Sequence, residues 1–325
     1  MSAPLRDAGA RQALVIGDGG WGTALALLLA TRGVQTSLWS ASLENSEDLR
    51  RTLENRRFLP GVKLPASLRF TADPFTAAEG AELAFSAVPT QFLRTVAQRF
   101  EDALPGNVPL VSATKGLEIE TLHRPSEILA EVLGERPICV LTGPSHAEEV
   151  ARYKPTTVVA ACADPSLAAF VQASLTSDSF RVYTSDDMVG AELGGALKNV
   201  IAIAAGISDG LELGDNAKAA LLTRGMMEMA RFGQTRGARV ETFFGLAGIG
   251  DLVTTCCSRH SRNRAVGEAI GRGERLEAIL KRMNMVAEGV WTTKALFGPE
   301  ADIGGVAMPI ATEVHAVLFE DKDPR

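Results

Sequence analysis

A glycine-rich turn near the start of the chain constrains the fold more than any other feature. Residues 17–22 read GDGGWG, a match to G-x-G-x-x-G, between a predicted strand at residues 12–16 and a predicted helix. In that setting Gly17 permits the tight turn, Gly19 lets a pyrophosphate approach the backbone, and Gly22 lets the helix pack on the strand. The helix N-terminus offers N–H groups and a positive dipole to the phosphates. The turn predicts dinucleotide binding, with a purely structural glycine turn as the alternative.

Beyond this turn, short apolar runs alternate with amphipathic stretches through the first half of the chain. Such alternation is typical of a parallel sheet flanked by helices. Strands are predicted at residues 12–16, 36–39, 68–71, 83–87, 109–112, 138–141, 157–160 and 180–183. Helices are predicted at residues 22–32, 91–100, 126–133 and 165–174.

The character of the sequence changes at about residue 186. Strand-like runs disappear there, and long segments rich in Ala, Leu and Met with helical spacing continue to the C-terminus. The polar stretch at residues 184–187 is the predicted joint. We therefore predict an α/β fold in two domains. Residues 1–187 form a Rossmann-like parallel-sheet domain that binds the dinucleotide, and residues 188–325 form an all-helical catalytic and substrate domain.

The composition of the chain and the spacing of its residues exclude several classes of protein. Lys and Arg total 33 against 39 Asp and Glu, a net charge of −6, whereas general nucleic-acid binders are usually basic. The cysteines form no C-x-x-C pair and the histidines no H-x-x-x-H pair, so neither a metal site nor a disulfide framework is predicted. The most apolar run, residues 193–207, is shorter than the ~20 residues that span a bilayer. With no apolar signal core at the N-terminus, these features predict a soluble, cytoplasmic protein without a membrane span.

Two lysines are candidates for chemistry. Lys198 and Asn199 are the only strongly polar residues in an otherwise small and apolar helical segment, which predicts that the helix is buried. Burial would lower the pKa of Lys198 and provide a neutral amine as a general base, the alternative being a structural pair with a carboxylate. Asp251, flanked by glycines, is a candidate partner. Lys115 follows a predicted strand at the sheet edge where ligands bind, although a solvated loop lysine has the same appearance.

Three further segments bear on ligand binding. Ser145 follows the next strand in TGPSH and is either a ligand contact or an N-cap. The run SRHSRNR, residues 258–264, concentrates arginines that suit phosphate, with a solvated surface face as the alternative. Ser40-Ala41-Ser42, at the tip of the second strand, has neither the acidic residue usual for NAD nor the arginine usual for NADP. The cofactor is therefore NAD or NADP, and we expect discrimination below about 100-fold.

Eight segments follow one another along the chain: GDGGWGTALA, SAVPT, SATKGLE, LTGPSHAEEVA, ELGGALKNVIAIAAGISDGL, GLAGIGDLVTTC, SRNRAVG and VAEGVWTTKAL. Together they resemble the NAD(P)-dependent glycerol-3-phosphate dehydrogenases of bacterial type, from about residue 12 to 320. The resemblance implies an oxidoreductase that acts on a CH–OH group. It implies reversible hydride transfer between NAD(P)H and dihydroxyacetone phosphate, giving sn-glycerol 3-phosphate for glycerophospholipid synthesis, in a homodimer.

The resemblance also implies roles for individual residues. Lys198 resembles the family's proton acceptor, Asp251 and Asn199 its polar partners, and Lys115 a lysine that contacts substrate and cofactor. The implied substrate contacts are Lys115, Gly143, Ser145, Lys198, Asp251, Ser261, Arg262 and Asn263. The cofactor contacts, from the glycine turn and the resemblance together, are Gly17, Gly19, Gly20, Trp21, Gly22, Lys115, Ala147, Arg262, Val286 and Glu288.

Two features depart from the family. Ala41 stands where many members carry Arg or His, and many members continue with a helical tail beyond the position of Arg325, so we expect a shortened last element. Two other functions are alternatives. A related dehydrogenase for another 2- or 3-hydroxy acid would not need the SRNR run, and a non-catalytic nucleotide sensor would not need a buried base.

Overall fold

The apolar runs of the first half form one sheet whose central strands are buried on both faces. A computed structural model describes residues 9–283, 285–298, 301 and 303–325. Its strands are β1 (Gln12–Ile16), β2 (Gln35–Trp39), β3 (Arg69–Thr71), β4 (Leu83–Ser86), β5 (Leu110–Ser112), β6 (Ile138–Thr142), β7 (Thr156–Ala161) and β8 (Phe180–Ser185). Their order across the sheet is β3-β2-β1-β4-β5-β6-β7-β8. This order brings the carboxyl ends of β1, β4 and β5 side by side.

Every predicted strand is present, with small shifts at the ends. The prediction of a parallel sheet is wrong for one pair, because β6 and β7 run antiparallel, with Leu141 opposite Ala160. The segment that joins them contains only one turn of helix, Ala147–Val150. A parallel crossover usually needs a helix that returns the chain to the starting edge of the sheet. Without one, the chain reverses direction, and the connecting loop stays at the carboxyl edge of β6.

Seven helices are described between or beside these strands. They are α1 (Gly20–Thr31), α2 (Leu43–Thr52), α3 (Pro74–Ala78), α4 (Thr90–Gln98), α5 (Pro125–Leu133), α6 (Ala147–Val150) and α7 (Pro165–Leu175). The sequence predicted α1, α4, α5 and α7 but not the other three, which are short or polar. α2 begins because Ser42 Oγ accepts a hydrogen bond from Asn45 N at 3.2 Å.

The described chain beyond β8 is helical. Its helices are α8 (Met188–Gly210), α9 (Gly214–Thr235), α10 (Val240–Phe243), α11 (Asp251–Cys257), α12 (Arg262–Gly271), α13 (Leu276–Arg282), α14 (Glu288–Leu296) and α15 (Pro309–Phe319), with a π-helical turn at Leu246–Gly250. α8 is the central helix, in contact with α9, α11, α12 and α14. A Cβ on Gly267 of α12 would lie 2.0 Å from Ile203 O of α8, so only glycine permits this approach.

Two helical stretches, Met188–Gly210 and Val240–Cys257, are long and apolar enough to cross a membrane. α8 is longer than the apolar run seen in the sequence, and 83% of its most apolar window is buried inside the protein. The second stretch is divided into α10, the π-helical turn and α11, all of which contact α8. Both stretches therefore belong to the packing of the helical part.

A buried ion pair connects α8 to the N-terminus of α5. Glu192 of α8 is 4% exposed. Its Oε2 accepts a hydrogen bond from Arg124 Nη1 at 2.7 Å, and its Oε1 accepts one from Ser126 N at 2.8 Å. Arg124 also contacts Glu127, whose side chain is 44% exposed.

We expect Glu192→Gln to lower the free energy of unfolding by about 1–2 kcal/mol, because it removes the charge that compensates a desolvated guanidinium. The matched control is Glu127→Gln, which removes a charge from the same guanidinium at a solvated position and should cost less than about 0.5 kcal/mol. Midpoints of urea unfolding would compare the two variants. Equal effects would contradict a fastening role for the buried partner.

Candidate functional site

The glycine turn has the geometry that its pattern predicts. Gly17 has a φ of +105°, a backbone region that favours glycine. A Cβ on Gly22 would lie 1.9 Å from Gly17 O, so glycine is needed where α1 packs on β1. A Cβ on Gly19 would meet nothing within 4 Å, and no side chain caps the N-terminus of α1. Backbone N–H groups therefore face open space at this turn.

A cavity of about 440 Å³ extends from this turn to the helical part. The predicted site residues on its wall are Gly17, Gly19, Gly20, Trp21, Lys115, Ser145, Ala147, Lys198, Asn199, Asp251, Ser261, Arg262, Asn263, Val286 and Glu288. Two predicted residues are not on the wall. Gly22 lies in the contact between α1 and β1, and Gly143 reaches the site through its carbonyl oxygen, which accepts a hydrogen bond from Lys115 Nζ at 3.0 Å.

Two lysines share one buried carboxylate on this wall. Asp251, the first residue of α11, lies 2.8 Å from Lys115 Nζ through Oδ2 and 3.3 Å from Lys198 Nζ through Oδ1. Lys198 Nζ also donates to Asn199 Oδ1 at 3.2 Å and to Thr255 Oγ1 at 2.6 Å. Lys198 is therefore both paired with a carboxylate and placed at the cavity wall, so the two alternatives from the sequence occur together. Three oxygen atoms hold the Lys198 ammonium group at the wall.

Burial controls the protonation of this cluster. It lowers the pKa of Lys198 to about 8, with a further contribution from the charge of Lys115, while Asp251 opposes the change. Burial would raise the pKa of Asp251, but the charges of Lys115 and Lys198 outweigh it, and the pKa of this carboxyl lies below its usual value. The cluster therefore keeps an ionised carboxylate and holds a proton on Lys198 that it can release near neutral pH.

A chain of amides links Lys198 to the other helices of the site. Asn199 Oδ1 accepts a second hydrogen bond from Asn263 Nδ2 at 2.9 Å. Asn263 Oδ1 in turn accepts one from Gly289 N at 2.9 Å. Asn263 therefore has one side-chain N–H left for a ligand. These hydrogen bonds connect α8, α12 and α14 beside Lys198.

Of the three arginines in the run SRHSRNR, only Arg262 lines the cavity. Arg264 follows it by two residues, about 200° around the helix, and its Nε donates to Asp209 Oδ2 at 2.6 Å. Arg259 is exposed away from the wall. Among the described residues, none forms a hydrogen bond or ion pair with the Arg262 guanidinium. The structure thus places one of the three guanidiniums on the cavity wall, pairs the second with Asp209 and leaves the third exposed.

Three cavity residues have buried polar atoms without a hydrogen-bond partner in the described part of the chain. They are Trp21 Nε1, His146 Nε2 and Glu288 Oε2. Burial raises the pKa of Glu288 to about 7, against the opposing hydrogen bond from Thr90 N. Unpartnered buried polar atoms are rare in folded proteins, and these three suit a ligand that fills the cavity.

Sequence reasoning missed several wall residues. Thr255 lies one helical turn after Asp251, so the spacing i, i+4 was a usable signal. The rings of His146 and His260 are tilted against each other with centroids 5.9 Å apart, a contact between distant segments that no local pattern indicates. Ser145 is not an N-cap, because His146 caps α6 and Ser145 Oγ donates to Gly143 O. In the described residues, no group of three or more His, Cys, Asp or Glu residues is arranged to hold a metal ion.

Known proteins resemble both halves of the chain. The model of the NAD-dependent glycerol-3-phosphate dehydrogenase N-terminus matches residues 12–168, and that of the C-terminus matches residues 187–325. A glycerol-3-phosphate dehydrogenase (NAD(P)+) from Lysinibacillus sphaericus is 50% identical over 314 residues, which cover 96% of this chain and 93% of that protein.

The protein of the same name from Chlorobium phaeobacteroides is 49% identical over 311 residues, 95% of this chain and 93% of its own length. The crystal structure of glycerol-3-phosphate dehydrogenase from Coxiella burnetii superposes with a TM-score of 0.93 at 38% identity and covers 97% of this chain and 96% of that one. The expected resemblance is confirmed over both halves. The chain belongs to the NAD(P)-dependent glycerol-3-phosphate dehydrogenases.

Proposed function

We propose that the protein reduces dihydroxyacetone phosphate to sn-glycerol 3-phosphate with NAD(P)H, and catalyses the reverse oxidation. The observation that carries this proposal is the pair of lysines on Asp251, on the wall of a cavity that begins at a dinucleotide-binding turn. The names of the relatives support the substrate. By the same likeness, we propose a cytoplasmic enzyme whose product enters glycerophospholipid synthesis.

The direct test is loss of absorbance at about 340 nm when NADH or NADPH is mixed with the protein and dihydroxyacetone phosphate. A 2-oxo acid such as pyruvate is the control substrate. Reduction of pyruvate instead of the phosphate would favour a related dehydrogenase, and binding of the dinucleotide without any reduction would favour a sensor.

The cavity fits a dinucleotide. The uncapped N-terminus of α1 beside Gly19 suits the pyrophosphate. Trp21 Nε1 and Glu288 Oε2 are the unpartnered donor and acceptor that would meet the cofactor, with Ala147 and Val286 as further contacts. When bound, the nicotinamide supplies the hydride for the reduction and accepts it in the oxidation.

The lysine cluster would manage the proton. In the reduction, the Lys198 ammonium donates a proton to the C2 oxygen as C2 accepts the hydride, and in the oxidation neutral Lys198 removes that proton. The Lys115 ammonium supplies a second positive charge to the developing alkoxide. Asp251 holds both lysines, and Asn199 and Thr255 orient Lys198 through their side-chain oxygens.

The N-terminus of α12 would hold the substrate phosphate. Arg262 offers a guanidinium with no partner in the described chain. Asn263 offers its remaining N–H, and Ser261 Oγ, which accepts from Arg264 N at 3.2 Å, keeps its proton for donation. Gly143 and Ser145, next to Lys115, are the proposed contacts to the three-carbon backbone.

We keep the domain boundary after Asp187 as a proposal. β8 ends at Ser185, and Asp187 caps α8 through the hydrogen bond from Gly190 N to its Oδ1.

We also propose a homodimer without a membrane span. The helical half exposes large apolar side chains, among them Leu213 and Phe244, and a second copy would cover such a surface. Light scattering at several concentrations tests the dimer.

The protonation of Lys198 predicts opposite pH profiles for the two directions. Because its pKa is about 8, kcat/KM for oxidation should rise as pH increases through about 8, and kcat/KM for reduction should fall. Asp251→Asn should move both inflections to lower pH, because Asp251 raises the pKa of Lys198. Profiles measured in buffers of constant ionic strength would reveal these inflections. Profiles that are flat between about pH 6 and pH 10, a range on both sides of the Lys198 pKa, would contradict the role of Lys198 in proton transfer.

A further inference from the structure

Asp18, the second residue of the glycine turn, carries a carboxylate that the turn itself does not require. It is half-buried and lies on the cavity wall. Its Oδ2 accepts a hydrogen bond from Ser40 Oγ at 2.6 Å and another from Asn45 Nδ2. Ser40 follows β2 directly, and Asn45 lies in the first turn of α2. Asp18 therefore places a carboxylate at the tip of β2, although Ala41 occupies that tip in the sequence.

This carboxylate is held in position and keeps one oxygen free. The Asp18 carbonyl oxygen accepts a hydrogen bond from Asn55 Nδ2 at 2.7 Å and one from Thr23 Oγ1 at 3.2 Å. Asn55 is 2% exposed, so the support is buried. Asp18 Oδ1 forms no hydrogen bond or ion pair with any described residue. It is available to accept hydrogen bonds from a ligand in the cavity.

The charges on the cavity wall are unequally distributed. Apart from histidines, the described wall residues with positive charge are Lys115, Lys198 and Arg262. They belong to the loop after β5 and to the helical half, and none belongs to the glycine turn, β2 or α2. The wall at the end of the cavity beside β2 therefore carries a negative charge, from Asp18, and no positively charged side chain among its described residues.

We propose that Asp18 makes this enzyme prefer NADH to NADPH. In Rossmann domains the tip of β2 lies beside the adenosine ribose, where a carboxylate accepts hydrogen bonds from its hydroxyl groups. A 2′-phosphate at the same place would lose those bonds and meet a like charge. The local sequence Ser40-Ala41-Ser42 has no acidic group and by itself predicts less than about 100-fold discrimination. Asp18 supplies the acidic group from another segment, so the preference should be about 100-fold or more.

The inference rests on the proposed dinucleotide site, and its test measures binding instead of turnover. Dissociation constants for NADH and NADPH would be measured by calorimetry with the unmodified protein and with Asp18→Asn. The unmodified protein should bind NADPH at least about 100-fold more weakly, since a charge-assisted hydrogen bond alone contributes about 10- to 150-fold. Asp18→Asn should reduce the ratio at least about tenfold, by weaker NADH binding and tighter NADPH binding. The asparagine can still accept from Ser40, so the turn is preserved.

The matched control is Glu44→Gln, which removes the same charge from an exposed carboxylate in the first turn of α2. Its ratio should stay within about twofold of the unmodified protein, because solvated charges are screened. Equal binding of NADH and NADPH, or an unchanged ratio of their dissociation constants in Asp18→Asn, would overturn the role of Asp18 but not the proposed dinucleotide site. Failure of both dinucleotides to bind would overturn the site at the glycine turn and the inference with it.

Discussion

Lys198→Met should lower kcat for reduction of dihydroxyacetone phosphate by a factor of about 10² to 10⁴, the usual contribution of general acid–base catalysis. Methionine keeps an apolar stem of similar length in a helix that is buried at this point, so the fold should survive. Asp251 keeps Lys115 as its partner at 2.8 Å, which prevents an isolated buried charge. The loss should therefore reflect the missing proton and positive charge.

The matched control is Lys218→Met. Lys218, on α9, also pairs with a carboxylate, at 2.8 Å from Asp209, but lies off the cavity wall. Its kcat should stay within about twofold of the unmodified enzyme, because a partly solvated pair affects stability only slightly. Both variants should bind NADH with little change in Kd. If Lys198→Met retained more than about a tenth of kcat, its assignment as the proton-transfer group would be wrong.

Arg262→Ala should lower kcat/KM for dihydroxyacetone phosphate by about 10- to 150-fold, the value of a charge-assisted and bidentate contact to phosphate. Part of the loss should appear in kcat, because binding energy from the phosphate also positions the reacting carbonyl. Dihydroxyacetone, which lacks the phosphate, should be a very poor substrate of the unmodified enzyme, and Arg262→Ala should hardly worsen it.

The comparison needs saturating cofactor, so that any contact of Arg262 with the dinucleotide contributes little. Arg264→Ala is the matched control from the same motif. It removes the ion pair with Asp209 at 2.6 Å, so it should lower stability without discriminating between the two substrates. Equal proportional losses for both substrates in Arg262→Ala would mean that Arg262 serves the cofactor or the fold, and that the phosphate binds elsewhere.

Much of the fold could be predicted because its elements have strong local periodicity. The buried runs at β1 and β4 and the apolar stretch inside α8 are readable from the sequence alone. The direction of β7 could not be read from the sequence. It depends on the path of the loop between Thr142 and Thr156, whose length is close to the minimum for a parallel crossover of about a dozen residues. α2 was missed because it is polar and depends on the cap at Ser42.

The sequence by itself determined the two-part architecture, the glycine turn, the family and the residue types of the site. The architecture and the turn are carried by local spacing, since a strand that leads into G-x-G-x-x-G can be recognised before any contact is known, and the family follows from the resemblance of the eight segments. Only the tertiary structure decided which charges meet. It placed both lysines on Asp251, separated Arg262 from Arg264, and brought Asp18 to the tip of β2. Coulombic and hydrogen-bond energies depend on distance and burial, and the chain sets both only when segments far apart in sequence pack together.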